Sequence, residues 1–204
     1  GCAIGQGLGR GFLEGDPSKY WASAVQSVQK AMEINENDFE CHRLFGEVNL
    51  SSHDFRAAEM HARKAYEIVP NDPRVLSIYG DVLVRVGSVD EGVEALERAL
   101  EVDPVAFGKN NSDSRIAALL FGYFMARDKS KCLNLIEKLQ EIDARSWVLT
   151  AKICSDEEVD YKTEKWFQDG LAKFSEIDWT NEVDRFHLNN VGAQEALVEF
   201  GRSN

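Results

Sequence analysis

The strongest constraint on this chain is a phrase that returns every 34 residues. Lys30-Ala31-Met32-Glu33-Ile34 is followed by Lys64-Ala65-Tyr66-Glu67-Ile68, and that by Arg98-Ala99-Leu100-Glu101-Val102. Other positions keep the same step. Ala24, Ala58 and Gly92 form a series of small residues, Gly46 pairs with Gly80, and Pro70 with Pro104. A looser fourth copy, Lys138-Leu139-Gln140-Glu141-Ile142, comes 40 residues on, which predicts an insertion near 107–114 and a shortened turn. A fixed period of this length belongs to repeat architectures. One unit cannot bury its apolar face alone, and stacked neighbours build a continuous core.

Each unit reads as two helices. In the third copy Asp72 is an N-cap, and Pro73 sits in the first turn, where a missing N–H is harmless. Val75, Ile78, Tyr79 and Val82 recur at helical spacing, and Gly87 ends the segment. Ser88 with Glu91 predicts a capping box for the next helix, which buries Val93, Leu96 and Leu100 and stops before Pro104. The second copy predicts helices over about 39–50 and 54–69. Gly46 and Gly80 lie mid-helix, where glycine costs up to about 1 kcal/mol relative to alanine. Repeating that cost at one position predicts a close helix crossing, with Ala58 and Gly92 pressed by the partner helix.

A 34-residue helix–turn–helix with Gly, Ala, Ala and Pro in this order resembles the tetratricopeptide repeat. The match is specific over 39–72 and 73–106, partial over 5–38, and degenerate over 115–143 and 144–174. His42, Phe45, Gly46, Asn49, Ala58, Ala62, Ala65 and Pro70 occupy the signature positions of the second copy. Leu76, Tyr79, Gly80, Leu83, Gly92, Leu96, Ala99 and Pro104 occupy those of the third. The resemblance implies an all-α, right-handed superhelical solenoid of antiparallel helix pairs. About five pairs are expected, with 175–204 as a C-terminal cap of one or two helices. Asp16-Pro17 opens one predicted helix, with Tyr20, Trp21, Ala24, Val28 and Ala31 toward its buried side. Residues 145–154 and 157–173 are the expected fifth pair, with a second capping box at Ser155 and Glu158. The glycine-rich start (Gly1, Gly5, Gly7, Gly9 and Gly11) reads as a frayed first helix, since neither a dinucleotide fingerprint nor a P-loop fits it.

Function, by the same resemblance, is protein–protein interaction through a concave face lined by the first helix of each pair. The implied groove residues are Glu40, Arg43, Glu47, Leu50 and Ser51, then Arg74, Ser77, Asp81, Val84 and Arg85, with Leu119, Tyr123 and Arg127 from the fourth copy. Carboxylates Glu47 and Asp81 stand where chaperone-clamping members of the family use Lys and Asn. A carboxylate ligand would meet like charge there. A narrower likeness is to the C-terminal repeat region of bacterial class III adenylate/guanylate cyclases. It rests on Phe174, Trp179, Asp184-Arg185-Phe186-His187 and Ala196-Leu197-Val198-Glu199-Phe200-Gly201. It implies a regulatory or assembly segment of a larger signalling protein, with homodimerisation as an alternative role.

Charge and chemistry narrow the rest. Lys and Arg total 23 against 35 Asp and Glu, a net charge of −12, which disfavours nucleic acid as a partner. No stretch reaches the roughly 18 apolar residues of a membrane span. The chain opens Gly1-Cys2, which reads as a processed or excised end, and no signal-peptide pattern follows. Cys2, Cys41, Cys132 and Cys154 have irregular gaps and no C-x-x-C, as expected of buried thiols in a reduced, cytoplasmic protein. His42, His53, His61 and His187 offer no i, i+4 metal spacing. Ser51, Ser52, His53 and Asp54 read as polar turn residues, and the acidic clusters as solvated faces. No cofactor and no enzymatic activity are expected. The near-neutral fourth copy, with Phe107, Phe121, Tyr123 and Phe124 expected to be exposed, is a candidate contact region.

Overall fold

The computed structural model describes residues 17–104, 109–139, 141–184, 186, 188 and 191–204. The glycine-rich segment, Phe107 and the side chains of Tyr20, Trp21 and Ala24 lie outside what it describes. The described residues form eleven helices and no strand. They are α1 (Pro17–Ile34), α2 (Phe39–Ser51), α3 (Phe55–Ile68), α4 (Pro73–Val86), α5 (Val89–Val102), α6 (Lys109–Met125), α7 (Lys129–Ile136), α8 (Ala144–Asp156), α9 (Lys165–Phe174), α10 (Trp179–Asp184) and α11 (Val191–Ser203). Helices α2 and α3, α4 and α5, α6 and α7, and α8 and α9 pack as successive antiparallel pairs, and α10 and α11 dock on α8. The chain is an all-α, right-handed superhelical solenoid.

The helix starts follow from side-chain chemistry. Asp38, Asp54, Asp72, Asp128 and Asp143 each accept a bond from a backbone N–H in the following first turn, at 2.7–3.0 Å for the shortest contact. Aspartate adds its negative charge to the capping bond, which suits the helix N-terminus. Pro73 sits in the first turn of α4, as its position after Asp72 predicts.

The turns inside the pairs share one backbone solution. His53 (φ 59°), Gly87 (φ 100°), Arg127 (φ 60°) and Glu158 (φ 53°) are left-handed. The next residue in each case donates its N–H five residues back. The bonds are Asp54 to Asn49, Ser88 to Leu83, Asp128 to Tyr123 and Val159 to Cys154, all at 2.9 Å. This is the Schellman closure of a helix C-terminus. Glycine supplies it without strain at one turn only.

Two predicted capping boxes do not form. Ser88 makes no side-chain cap bond, and the Glu91 carboxylate, the other half of the box, binds the Tyr79 hydroxyl and Arg63 instead. Ser155 lies inside α8, and Glu158 occupies the left-handed turn, so α9 begins at Lys165 rather than near 157. The intervening loop is held by Tyr161, buried edge-on against Phe167 at 4.8 Å.

Core packing differs along the array. In α4 and α5 the backbones meet: a Cβ on Gly80 would lie 2.6 Å from the Gly92 carbonyl oxygen, and one on Gly92 would lie 2.7 Å from that of Gly80. At Gly46 the equivalent Cβ would find Ala62 and Ile78 at an ordinary 3.5–3.6 Å, so the expected close crossing is absent there. In the last pair an aromatic replaces small residues. Trp147 is fully buried and donates its indole N–H to the Phe167 carbonyl at 3.1 Å. It stacks on Phe167 at 5.2 Å and on Trp179 of α10 at 5.7 Å. Gly170 leaves room for the Trp147 ring, and Gly201 of α11 does the same for Trp179.

Phe121 and Tyr123, expected to be exposed, are 2% and 7% accessible. They belong to the continuous C-terminal core, and Phe124 is partly buried against it. The expectation of an exposed aromatic contact region on the fourth unit is therefore corrected. The insertion shifted the register in which its helix was read.

Candidate functional site

The first helices α2, α4, α6 and α8 contact one another in series, each touching the next. That row carries, Arg127 excepted, the residues expected to line a concave wall. At its N-terminal end Arg43 is held between Glu40 at 2.9 Å and Glu47 at 3.6 Å. Glu40 also reaches Arg74 of the next unit at 3.5 Å, and Arg74 pairs with Asp72 at 2.8 Å and overlies the Phe39 ring. The Arg74 guanidinium holds the Asp72 carboxyl below its usual range, and Asp72 in turn raises Arg74. Ser77 turns inward along its own helix, donating its hydroxyl to the Pro73 carbonyl at 2.6 Å. This end of the wall is internally charge-paired.

Further along, Arg85 forms a short ladder with its surroundings. It binds Asp81 at 2.9 Å and lies over the Phe121 ring at 4.6 Å, and Phe121 stacks on Phe186 of the C-terminal segment at 5.8 Å. A cavity of about 360 Å³ opens here. It is walled by Asp81 and Arg85 of α4, Ala117, Ala118 and Phe121 of α6, Arg145, Ser146 and Leu149 of α8, and Phe186. Three successive units and the C-terminal segment converge on it.

Four groove expectations fall elsewhere. Leu50 (4% accessible), Val84 (0%), Leu119 (3%) and Tyr123 (7%) are core residues, since helix packing turns them inward rather than toward the groove. The Tyr123 hydroxyl donates to Glu97 at 2.6 Å, on the side of the second helices. Burial and the Glu97 carboxylate raise its pKa, and the same bond lowers that of Glu97. Arg127 occupies a left-handed turn and pairs with Asp156 at 3.3 Å. Phe186 and Ser146, which do line the cavity, were not anticipated. Their positions depend on packing between units that share no period.

The acidic clusters are more than solvated faces. Glu91 takes bonds from Tyr79 and from Arg63 at 3.1 Å, and Glu97 pairs with Lys131 at 3.0 Å in the next unit. Burial and the Glu91 contact push the Tyr79 hydroxyl up to about 12.

The histidines show a pairing that chain spacing hid. His42, 7% accessible, meets His61 of α3 with Nδ1 to Nδ1 at 2.9 Å. His42 Nε2 lies 2.9 Å from the Glu36 carbonyl, an acceptor only, so Nε2 carries the proton. One Nδ1 of the pair must donate and the other accept, so both rings cannot carry a proton at Nδ1. Burial first, and the neighbouring His42 second, lower the His61 pKa from 6.5. The unfolded chain therefore binds the His61 proton more readily than the folded one. Stability contributed by this site is full above about 6.5 and declines as pH falls through that value. Urea unfolding should give a lower free energy at pH 5.5 than at pH 8, with a flatter profile in His61→Phe. Equal or higher stability of the unmodified protein at pH 5.5 would contradict this.

Cys41, Cys132 and Cys154 are buried and form no disulfide among the described residues. Burial raises Cys132 to about 12 and Cys154 to about 11, so neither is a ready nucleophile. Among the described residues no group of three or more His, Cys, Asp or Glu is placed to hold a metal ion. No described helix is long and apolar enough to cross a membrane. Asp54 caps α3, and Ser51 and Ser52 donate to carbonyls of their own helix, which leaves the Ser/His/Asp grouping as turn structure.

Serial first helices, paired second helices and Schellman-closed turns define the class: a tetratricopeptide-like helical solenoid. Among solved structures, MamA shares the fold, with a TM-score of 0.59 and 16% sequence identity over 80% of this chain and 97% of that one. Yeast Tom70 superposes more loosely, with a TM-score of 0.42 and 13% identity over 93% of this chain and 44% of its own. No family model matches the sequence, and neither does any curated protein.

Proposed function

We propose that the protein is an interaction module that binds a protein or peptide partner along its concave wall. The observation that carries this reading is the cavity walled by the first helices of three successive units, a recess that a lone helix pair could not form. Its lining mixes aliphatic and aromatic carbon with serine, three cations and three carboxylates, a mixture that suits a peptide side chain and its backbone. The narrower likeness to cyclase-associated repeats extends the proposal to a regulatory or assembly role within a larger signalling protein.

A photo-crosslinking residue at Ala118 in the cavity, compared with one at Met60, 58% accessible on a second helix, tests the reading. Crosslinks to one discrete partner from position 118 and none from 60 are expected. Adducts only at twice the mass of the chain would replace the partner with a second copy. Crosslinking from 60 alone would overturn the concave-wall assignment.

A further inference from the structure

Two residues that line the cavity, Arg85 and Ser146, each carry a buried polar atom. Arg85 Nη1 and Ser146 Oγ are both buried and lack a hydrogen-bond partner among the described residues. The Arg85 side chain is 9% accessible and Ser146 is 1% accessible. Leaving such groups unmet typically costs about 1–3 kcal/mol each. Their neighbours are already committed. Arg85 gives Nε and Nη2 to the same oxygen of Asp81. Asp143 accepts from the Ser146 backbone N–H at 2.7 Å, and Glu141 pairs with Lys173 at 2.9 Å. The cavity's charged lining is three cations (Arg85, Arg145 and Lys173) and three carboxylates (Asp81, Glu141 and Asp143).

We infer that this cavity receives a primary amide, the side chain of an Asn or Gln in a partner peptide, beside an apolar residue. This rests on the concave-wall reading and names the chemistry it accepts. Nη1 is a donor only, so its partner must be an acceptor. A hydroxyl both donates and accepts. An amide meets both at once, its oxygen accepting from Arg85 and its N–H donating to Ser146. The balanced lining gives a carboxylate no net attraction and makes it meet Asp81, whereas an amide brings no charge. Ala117, Ala118, Phe121, Leu149 and Phe186 provide the apolar surface for the adjoining residue. Both atoms are buried, so meeting the ligand takes a rotation of Ser146 about χ1 and a shift of the whole planar Arg85 guanidinium.

The test is an NMR titration of the full chain with three capped dipeptides, acetyl-Leu-Gln-, acetyl-Leu-Glu- and acetyl-Leu-Met-N-methylamide. The Gln probe should shift the Ser146 and Leu149 amides and bind about fivefold more tightly than the other two, the effect of about one net hydrogen bond. Ser146→Ala should remove that preference without lowering the melting temperature, since it deletes a hydroxyl that bonds nothing. Arg85→Met should remove it too. Tighter binding of the Glu probe would overturn the amide assignment in favour of a carboxylate. Equal binding of Gln and Met, or no shift at Ser146 and Leu149, would overturn it altogether. These outcomes are distinguishable from failure of the concave-wall reading, because crosslinking from Ala118 reports partner capture whatever the probe preference.

Discussion

Replacing Trp147 with alanine should lower the free energy of unfolding by about 3–5 kcal/mol, the range for deleting a fully buried large aromatic. The expected effect is also local in a particular way. The indole bridges Phe167 of α9 and Trp179 of α10, and its N–H satisfies the Phe167 carbonyl. Without it, that carbonyl loses its donor and α10 loses its aromatic seat. Limited proteolysis of Trp147→Ala should therefore cut first after about residue 175, while α2 to α5 stay protected. A uniform loss of protection across the array, or a change below about 1 kcal/mol, would show that the ring is not the joint between the last pair and the cap.

Alanine at Gly80 and alanine at Gly46 should move stability in opposite directions, although the two glycines occupy the same place in successive units. At Gly80 the new methyl would lie 2.6 Å from a backbone oxygen and 2.7 Å from Leu96 Cγ, and neither can yield without separating α4 from α5. Overpacking of that kind costs about 1–3 kcal/mol. At Gly46 the methyl meets its neighbours at 3.5–3.6 Å, and the gain is the helix propensity of alanine, up to about 1 kcal/mol. Urea midpoints of the two single variants decide the matter. Destabilisation by Gly46→Ala equal to that by Gly80→Ala would mean that the crossing distance is not what separates them.

Much of the fold was legible because its signals are local. Asp72 capping the helix that Pro73 opens and Gly87 stopping it act within one or two turns, and the 34-residue return of small residues is read directly along the chain. The family likeness named the first helices as a candidate wall, and Arg43, Arg74, Asp81 and Arg85 lie on those helices. What remained hidden depends on contacts between units. His42 and His61 are separated by 19 positions, and Trp147 and Gly170 share no period, so no spacing rule links either pair. The aromatics of the fourth unit were misread because an insertion displaced the helical register by which burial was judged. The box at Ser88 and Glu91 does not close, and the Glu91 carboxylate instead meets Tyr79 across the helix pair, a contact invisible along the chain.

The four left-handed turns carry a consequence for descent. Their residues are His, Gly, Arg and Glu, which no substitution table would align, yet each closes its helix with the same bond at the same length. Repetition is present in dihedral angles where the residue types do not carry it. A comparison that weighs residue types sees about two clear units in this chain. One that weighs backbone conformation sees four, and would recover kinship among proteins whose alphabets have drifted beyond recognition.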